Sequence, residues 1–97
     1  MRDAGLARRI LACVDAIPPG RVMTYGDIAE YVGGTSARAV GRVLSQDDGS
    51  VPWHRVVKAD GTCAPHLDEE QRARLLAEGV RFLGRRINLR DHRWDGR

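Results

Sequence analysis

The chain has 97 residues, with 16 Lys or Arg against 13 Asp or Glu, a net charge of +3 and a pI near 9.4. That length allows one small hydrophobic core and leaves no room for a separate catalytic domain, so a single domain over residues 1–97 is expected. The mild basic excess suits a polyanion without requiring one, and no apolar run approaches the roughly 18 residues of a membrane span. Lys58 is the sole Lys among the cations; an Arg bias suits phosphate and base contacts, and equally a GC-rich codon usage.

The start, Met1 to Gly5, leads into an amphipathic helix rather than a signal-peptide core, so a cytoplasmic protein is expected. Leu6, Ile10, Cys13, Val14 and Ile17 form one apolar stripe of that helix, which Pro18-Pro19-Gly20 ends. Cys13 is thereby a core residue, and with Cys63 far from it no disulfide is expected. Thr24 caps a second, short helix, with Asp27 three residues on in capping-box fashion and Gly33-Gly34 closing it. Ser36 caps a third, in which Ala37, Val40 and Leu44 face inward while Arg38, Gly41, Arg42 and Ser45 share the opposite face. Two short helices joined by a Gly turn suggest helix-turn-helix.

After a polar linker, Val51 to Val57 reads as an extended, partly buried segment ending before the Asp60-Gly61 turn. Asp68 caps a fourth helix with Leu75 and Leu76 inward, ending at Gly79, and residues 80–89 give at most one short strand. Residues 81–97 gather Arg81, Arg85, Arg86, Arg90, Arg93 and Arg97 against Asp91 and Asp95, so the C-terminus is locally basic. There is no internal repeat.

The helix face around Arg38 and Arg42 carries so little bulk that its backbone could approach a groove closely; a solvated basic face is the plainer reading. Pro52-Trp53-His54-Arg55-Val56 sets an aromatic ring, an imidazole and a guanidinium side by side, as either a site or core packing. Cys63, His66 and His54 fall short of the four ligands of structural zinc, so neither a metal nor any cofactor is expected.

Three segments occur in order: Ile17-Pro18-Pro19-Gly20-Arg21-Val22-Met23-Thr24-Tyr25-Gly26, Ala37-Arg38-Ala39-Val40-Gly41 and Pro52-Trp53-His54-Arg55-Val56. Together they resemble the DNA-binding domain of O6-alkylguanine-DNA alkyltransferases, with Leu75 to Gly79 a further match. The likeness runs from residue 6 to residue 83 and more weakly from Ile87 to Trp94. The enzymes carry Pro-Cys-His-Arg-Val where this chain has Trp53, and that form marks the alkyltransferase-like proteins. The fold this implies is mostly α with a small β element, a single winged helix-turn-helix domain in which 84–97 is a basic C-terminal tail.

In the enzymes a thiolate accepts the alkyl group. An indole cannot replace it, because the ring nitrogen's lone pair belongs to the π-system and its N–H only donates. No catalytic residue and no alkyl transfer are therefore expected. The resemblance makes His54 and Glu78 a structural hydrogen-bond pair, and nothing beside Cys63 suggests an activating environment for its thiol. The same resemblance assigns DNA contact to Thr24, Tyr25, Ser36, Ala37, Arg38, Ala39 and Arg42. The third helix would enter the minor groove, Arg38 intercalate, and Tyr25 press on the adjacent phosphate to rotate the nucleotide out. Pro52, Trp53, His54 and His66 would form the lesion pocket, where an aromatic wall adds about 1–3 kcal/mol of stacking per base.

One departure concerns the loop Thr62 to Leu67, which is short; where relatives often place an Arg facing the modified oxygen, His66 lies nearest, as a donor to O6 or as an exposed loop residue. The expected partners are duplex DNA containing O6-alkylguanine and nucleotide excision repair proteins, with the protein a monomer, cytoplasmic, and on the nucleoid when bound. The alternatives are a winged-helix transcription factor reading undamaged DNA, against which a helix offering Ala, Val and Gly argues, and an active alkyltransferase with an atypical acceptor.

Overall fold

A computed structural model describes residues 2–97; Met1 lies outside the described residues. The elements follow in the order α1 (Arg2–Ala16), β1 (Met23–Thr24), α2 (Tyr25–Val32), α3 (Ala37–Gln46), a 3-10 turn (Trp53–Arg55), β2 (Val56–Val57), a second 3-10 turn (Pro65–Leu67), α4 (Asp68–Ala77), β3 (Phe82–Leu83), β4 (Arg86–Ile87) and α5 (Leu89–His92). Helices dominate and the sheets are two-stranded, as expected of a winged helix-turn-helix.

Local chemistry sets the first three helices. The stripe of α1 buries Ile10, Cys13 and Val14, and Ile17 follows it into the same core. Thr24 caps α2: its Oγ1 accepts from Asp27 N at 3.0 Å while Asp27 Oδ2 accepts from Thr24 N at 3.1 Å, closing the box. Gly33, at φ 80, ends α2 in a backbone conformation that a side chain would strain. Ser36 Oγ accepts from Ala39 N at 3.1 Å and starts α3. The apolar faces of the three helices meet at Ile28, Ala29 and Val40, each large aliphatic burial contributing about 1.5–3 kcal/mol.

β1 and β2 pair in parallel, Met23 with Val56 and Thr24 with Val57, across the whole helix-turn-helix. That pairing ties the start of α2 to the segment that carries Trp53, and it separates the first core from a second of Val22, Val57, Cys63, Leu75, Val80 and Ile87. The wing is the antiparallel pair β3 and β4, joined through Phe82 and Ile87. It docks on the Asp60-Gly61 turn, where Ile87 N donates to Gly61 O at 2.9 Å. At Gly61, φ 85, an added Cβ would lie 2.9 Å from Ile87 O, so a side chain there would push the wing away.

Five expectations need correcting. Ala37 is exposed, because it is the first residue of α3; the inward stripe is Val40, Val43 and Leu44. Leu76 is 49% exposed while Gln71 is buried, since the inward line of α4 runs through Gln71 and Leu75. Asp68 is the first residue of α4 rather than its cap, which is Leu67 without a side-chain bond. The stretch from Val51 is extended only at Val56–Val57, because Pro52 leads into a tight 3-10 turn. Residues 80–89 hold two strands, not one, since Gly84 at φ 66 reverses the chain between them.

The segment 84–97 keeps its Arg residues but is built into the fold. Val22 N donates to His92 O at 2.9 Å and Trp94 N to Val22 O at 2.8 Å. Trp94 packs on the first core, and Arg93 forks onto Asp27 through Nε to Oδ2 at 2.9 Å and Nη2 to Oδ1 at 2.6 Å.

Candidate nucleic-acid interface

The helix-turn-helix presents Tyr25 and the open face of α3 together. Tyr25 follows the cap directly, so the capping box sets its backbone, and its ring lies against α3 where that helix has no side chain: a Cβ at Gly41 would be 3.9 Å from Tyr25 Cε1. Arg38 and Arg42 are exposed one turn apart on the same face. Ser36 and Ala37 are exposed at the N-terminus of α3, where first-turn amides and the helix dipole favour an anion. Ala39 is half-buried, its amide already given to Ser36. Thr24 departs from the expected set: it is 3% exposed and its hydroxyl is spent on the cap. Its part is to aim Tyr25.

A cleft of about 130 Å³ lies between α3 and the turns that follow, lined by Tyr25, Gly41, Ser45, Trp53, His66 and Gln71 among others. Trp53 and His66, expected as pocket residues, both reach it, and His66 is exposed at its edge. Pro52 and His54 do not line it. The 3-10 turn sends Trp53 and His54 apart, their rings 6.1 Å between centroids and 88° between planes, and His54 points into the protein. Three grooves are wider: two, about 440 and 360 Å³, flank Tyr31 and Trp94 and hold none of the expected site residues, and one of about 430 Å³ runs beside His66, Leu67 and Glu70.

Glu78 is the electrostatic centre behind the cleft. His54 Nε2 lies 2.8 Å from Glu78 Oε2. Arg55, which sequence reasoning left without a role, donates to the same carboxylate through Nε at 3.1 and 3.2 Å and through Nη2 at 2.7 Å, and its Nη1 reaches Ile17 O at 2.9 Å. Gly20 N completes the set at 3.1 Å. Burial would raise the Glu78 carboxyl, but Arg55, then His54 and the Gly20 amide, hold it down to about 2. An ionised Glu78 accepts, so His54 Nε2 carries the proton; Nδ1 is buried and has no partner among the described residues.

Gln71 was also missed. Its Nε2 donates to His54 O at 3.0 Å and Val56 O at 2.7 Å while Oε1 accepts from Ala64 N at 3.2 Å, stitching α4 to the Trp53 turn and to the loop before His66. A Gln on the Leu75 line of α4 was the available signal, since a buried amide needs partners.

No thiol lines the cleft. Cys63 is 4% exposed, and burial, with Asp68 adding to it, pushes its thiol up to about 11, so it stays protonated at neutral pH. Burial likewise raises Cys13. At Asp27 burial opposes ionisation, but the Arg93 fork and the Thr24 bonds outweigh it and lower the carboxyl. Among the described residues no group of three His, Cys, Asp or Glu could hold a metal ion, and no helix is long and apolar enough to cross a membrane.

Residues 5–80 match the family described as the DNA-binding domain of 6-O-methylguanine DNA methyltransferase. The DNA base-flipping protein of Escherichia coli is 42% identical over 101 residues, covering 97% of this chain and 78% of that protein. Alkyltransferase-like protein 1 of Schizosaccharomyces pombe is 38% identical over 106 residues, covering 97% and 98%. The crystal structure of S. pombe Atl1 in complex with damaged DNA containing O6-carboxymethylguanine aligns with a TM-score of 0.84 at 34% identity, over 97% of this chain and 98% of that one.

Proposed function

The chain belongs to the family of the 6-O-methylguanine DNA methyltransferase DNA-binding domain, and on that footing we propose that it binds O6-alkylguanine in duplex DNA, flips the damaged nucleotide into the Trp53 cleft and leaves the alkyl group in place. The observation that carries the reading is an indole, with no thiol beside it, lining the cleft that Tyr25 and α3 also line. The relatives support it: one is named for base flipping, another for its likeness to alkyltransferases, and the solved complex of the latter holds damaged DNA.

The steps follow from the side chains. α3 lies in the minor groove, where the small exposed side chains of Ala37 and Ser45 let the backbone come close and the Ser36 to Ala39 turn meets a phosphate. Arg38 enters the stack where the nucleotide has left it, Tyr25 presses on the adjoining phosphate, and Arg42 binds backbone. Extrusion costs a few kcal/mol, less for a lesion that pairs poorly, so selection begins at unstacking. Trp53 receives the base face, and His66, at the cleft's edge, donates to O6. A cleft of about 130 Å³ is small beside ordinary ligand sites of roughly 300–1,000 Å³, so it widens on binding. Glu78 holds His54 and Arg55 as scaffold; with no thiol in reach there is nothing for the imidazole to activate.

The protein acts as one domain over residues 1–97 and as a monomer in the cytoplasm, on the nucleoid when bound, and hands the marked lesion to nucleotide excision repair. Binding to matched duplexes with and without one O6-methylguanine tests the reading. Tight lesion-dependent binding with no label passing from radiolabelled methylated DNA to protein is expected; equal affinities, or a stoichiometric label on the protein, would overturn it.

A further inference from the structure

Trp53 touches more than the cleft. The guanidinium carbon of Arg74, on α4, lies over its ring at 5.4 Å from the centroid. Glu70, one turn earlier, accepts from Arg74 Nε at 3.2 Å and from Nη2 at 2.8 Å. Both side chains of this pair are about half exposed, at 50% and 55%. A surface pair of that kind contributes little to stability by itself, so the ring contact is the part with a consequence. Arg suits both partners at once, since its planar fork meets a carboxylate along one edge while its face lies on an aromatic ring; a Lys ammonium has neither plane nor fork.

Trp53 needs such a hold. It sits at the head of a three-residue 3-10 turn whose N-terminal cap makes no side-chain bond, and it is only partly buried. Gln71 fixes the backbone of that turn through His54 O and Val56 O. The His54 ring stands perpendicular to the indole, 6.1 Å between centroids. Neither contact lies flat on the indole, and a ring that is to stack on an incoming base must present a fixed face to it.

We propose that Arg74 is a positioning residue for lesion binding: its guanidinium, restrained by Glu70, sets the plane of the Trp53 indole before the damaged base arrives. The proposal rests on the lesion-binding reading and names the residue that prepares its stacking surface. A preset ring spares the ordering cost that a loose one would levy on the complex. Arg74 acts through Trp53 and stands outside the DNA-contacting set of Tyr25, Arg38 and Arg42.

The test uses full-length protein grown with 5-fluorotryptophan, in which Trp53 and Trp94 give separate fluorine resonances, together with Arg74→Met, Arg74→Lys and Glu70→Gln. In the free protein Arg74→Met is expected to shift and broaden the Trp53 resonance and leave that of Trp94 in place. On DNA it should lower the ratio of lesion to undamaged affinity about fivefold, the size of a partly exposed cation–π contact, with undamaged binding and its salt dependence unchanged. Arg74→Lys should fail to restore the ratio, and Glu70→Gln should fall between. Equal losses on both duplexes, with a salt slope smaller by about 1, would make Arg74 a phosphate contact and overturn the proposal; so would an unmoved Trp53 resonance. A wild-type protein that binds both duplexes equally refutes the lesion reading itself, whereas a discriminating wild type matched by an equally discriminating Arg74→Met refutes only the role of Arg74.

Discussion

Replacing Glu78 by Gln should cost more stability at neutral pH than in acid, by an amount the structure sets. The carboxyl falls from an ordinary 4.5 to about 2 in the folded protein. At about 1.4 kcal/mol for each tenfold change in acidity, that difference is worth about 3 kcal/mol. Because the folded value is the lower one, the stabilisation is complete above pH 4.5 and is lost as pH falls from there toward 2, with under half of it left by pH 3. Gln keeps an acceptor oxygen for one of the four donor groups but turns an amide toward the Arg55 fork and leaves that half-buried guanidinium without a counter-charge. Urea unfolding at pH 7 should show a midpoint lower by about 2 M, taking a slope of about 1.5 kcal/mol per molar for a domain this small. Repeated at pH 3, the gap between Glu78→Gln and the wild type should shrink by more than half. A gap that stays constant with pH would refute the ionic account of the network and leave only a packing defect.

Other changes separate folding from recognition. Gly41→Ala should raise helix stability by about 0.5–1 kcal/mol, since the added methyl meets the Tyr25 ring at an ordinary 3.9 Å, yet weaken lesion binding by taking up room in the cleft that Gly41 lines; tighter lesion binding in a gel-shift titration would contradict the cleft geometry. Arg38→Ala should abolish most of the lesion preference, while Arg42→Ala should chiefly reduce the slope of log affinity against log salt by about 1; the same modest effect from both would rule out intercalation by Arg38. Cys63, buried and pushed up to about 11, should resist iodoacetamide at pH 7.5 until urea unfolds the chain. Rapid labelling of the native protein would show the thiol to be reachable.

The parts legible in the sequence were those decided within a few residues. Thr24 with Asp27, and Ser36 with Ala39, satisfy helix-start amides by local reach, so the caps of α2 and α3 and the position of Tyr25 between them could be read directly. Trp53 and His66, singled out through the motif and its loop, both line the one cleft beside α3 and Tyr25. What stayed hidden depends on partners distant in the chain: Arg55 gains its role from Ile17 O and Glu78, Gln71 from His54 O and Val56 O, and Trp94 from the Val22 bridge. Periodicity also misassigned Leu76, because two adjacent leucines offer α4 two possible faces and only the tertiary demand for Gln71 selects one.

The fork of Arg93 on Asp27 has a consequence for the order in which the molecule matures. Asp27 is half of the capping box that aims Tyr25, and one of its oxygens serves both Thr24 N and Arg93 Nε. During synthesis the reading helix pair therefore emerges early but stays unlatched until residues 93 and 94 leave the ribosome and fold back beside Val22. Loss of residues 93 and 94 would be felt at Tyr25, far earlier in the chain.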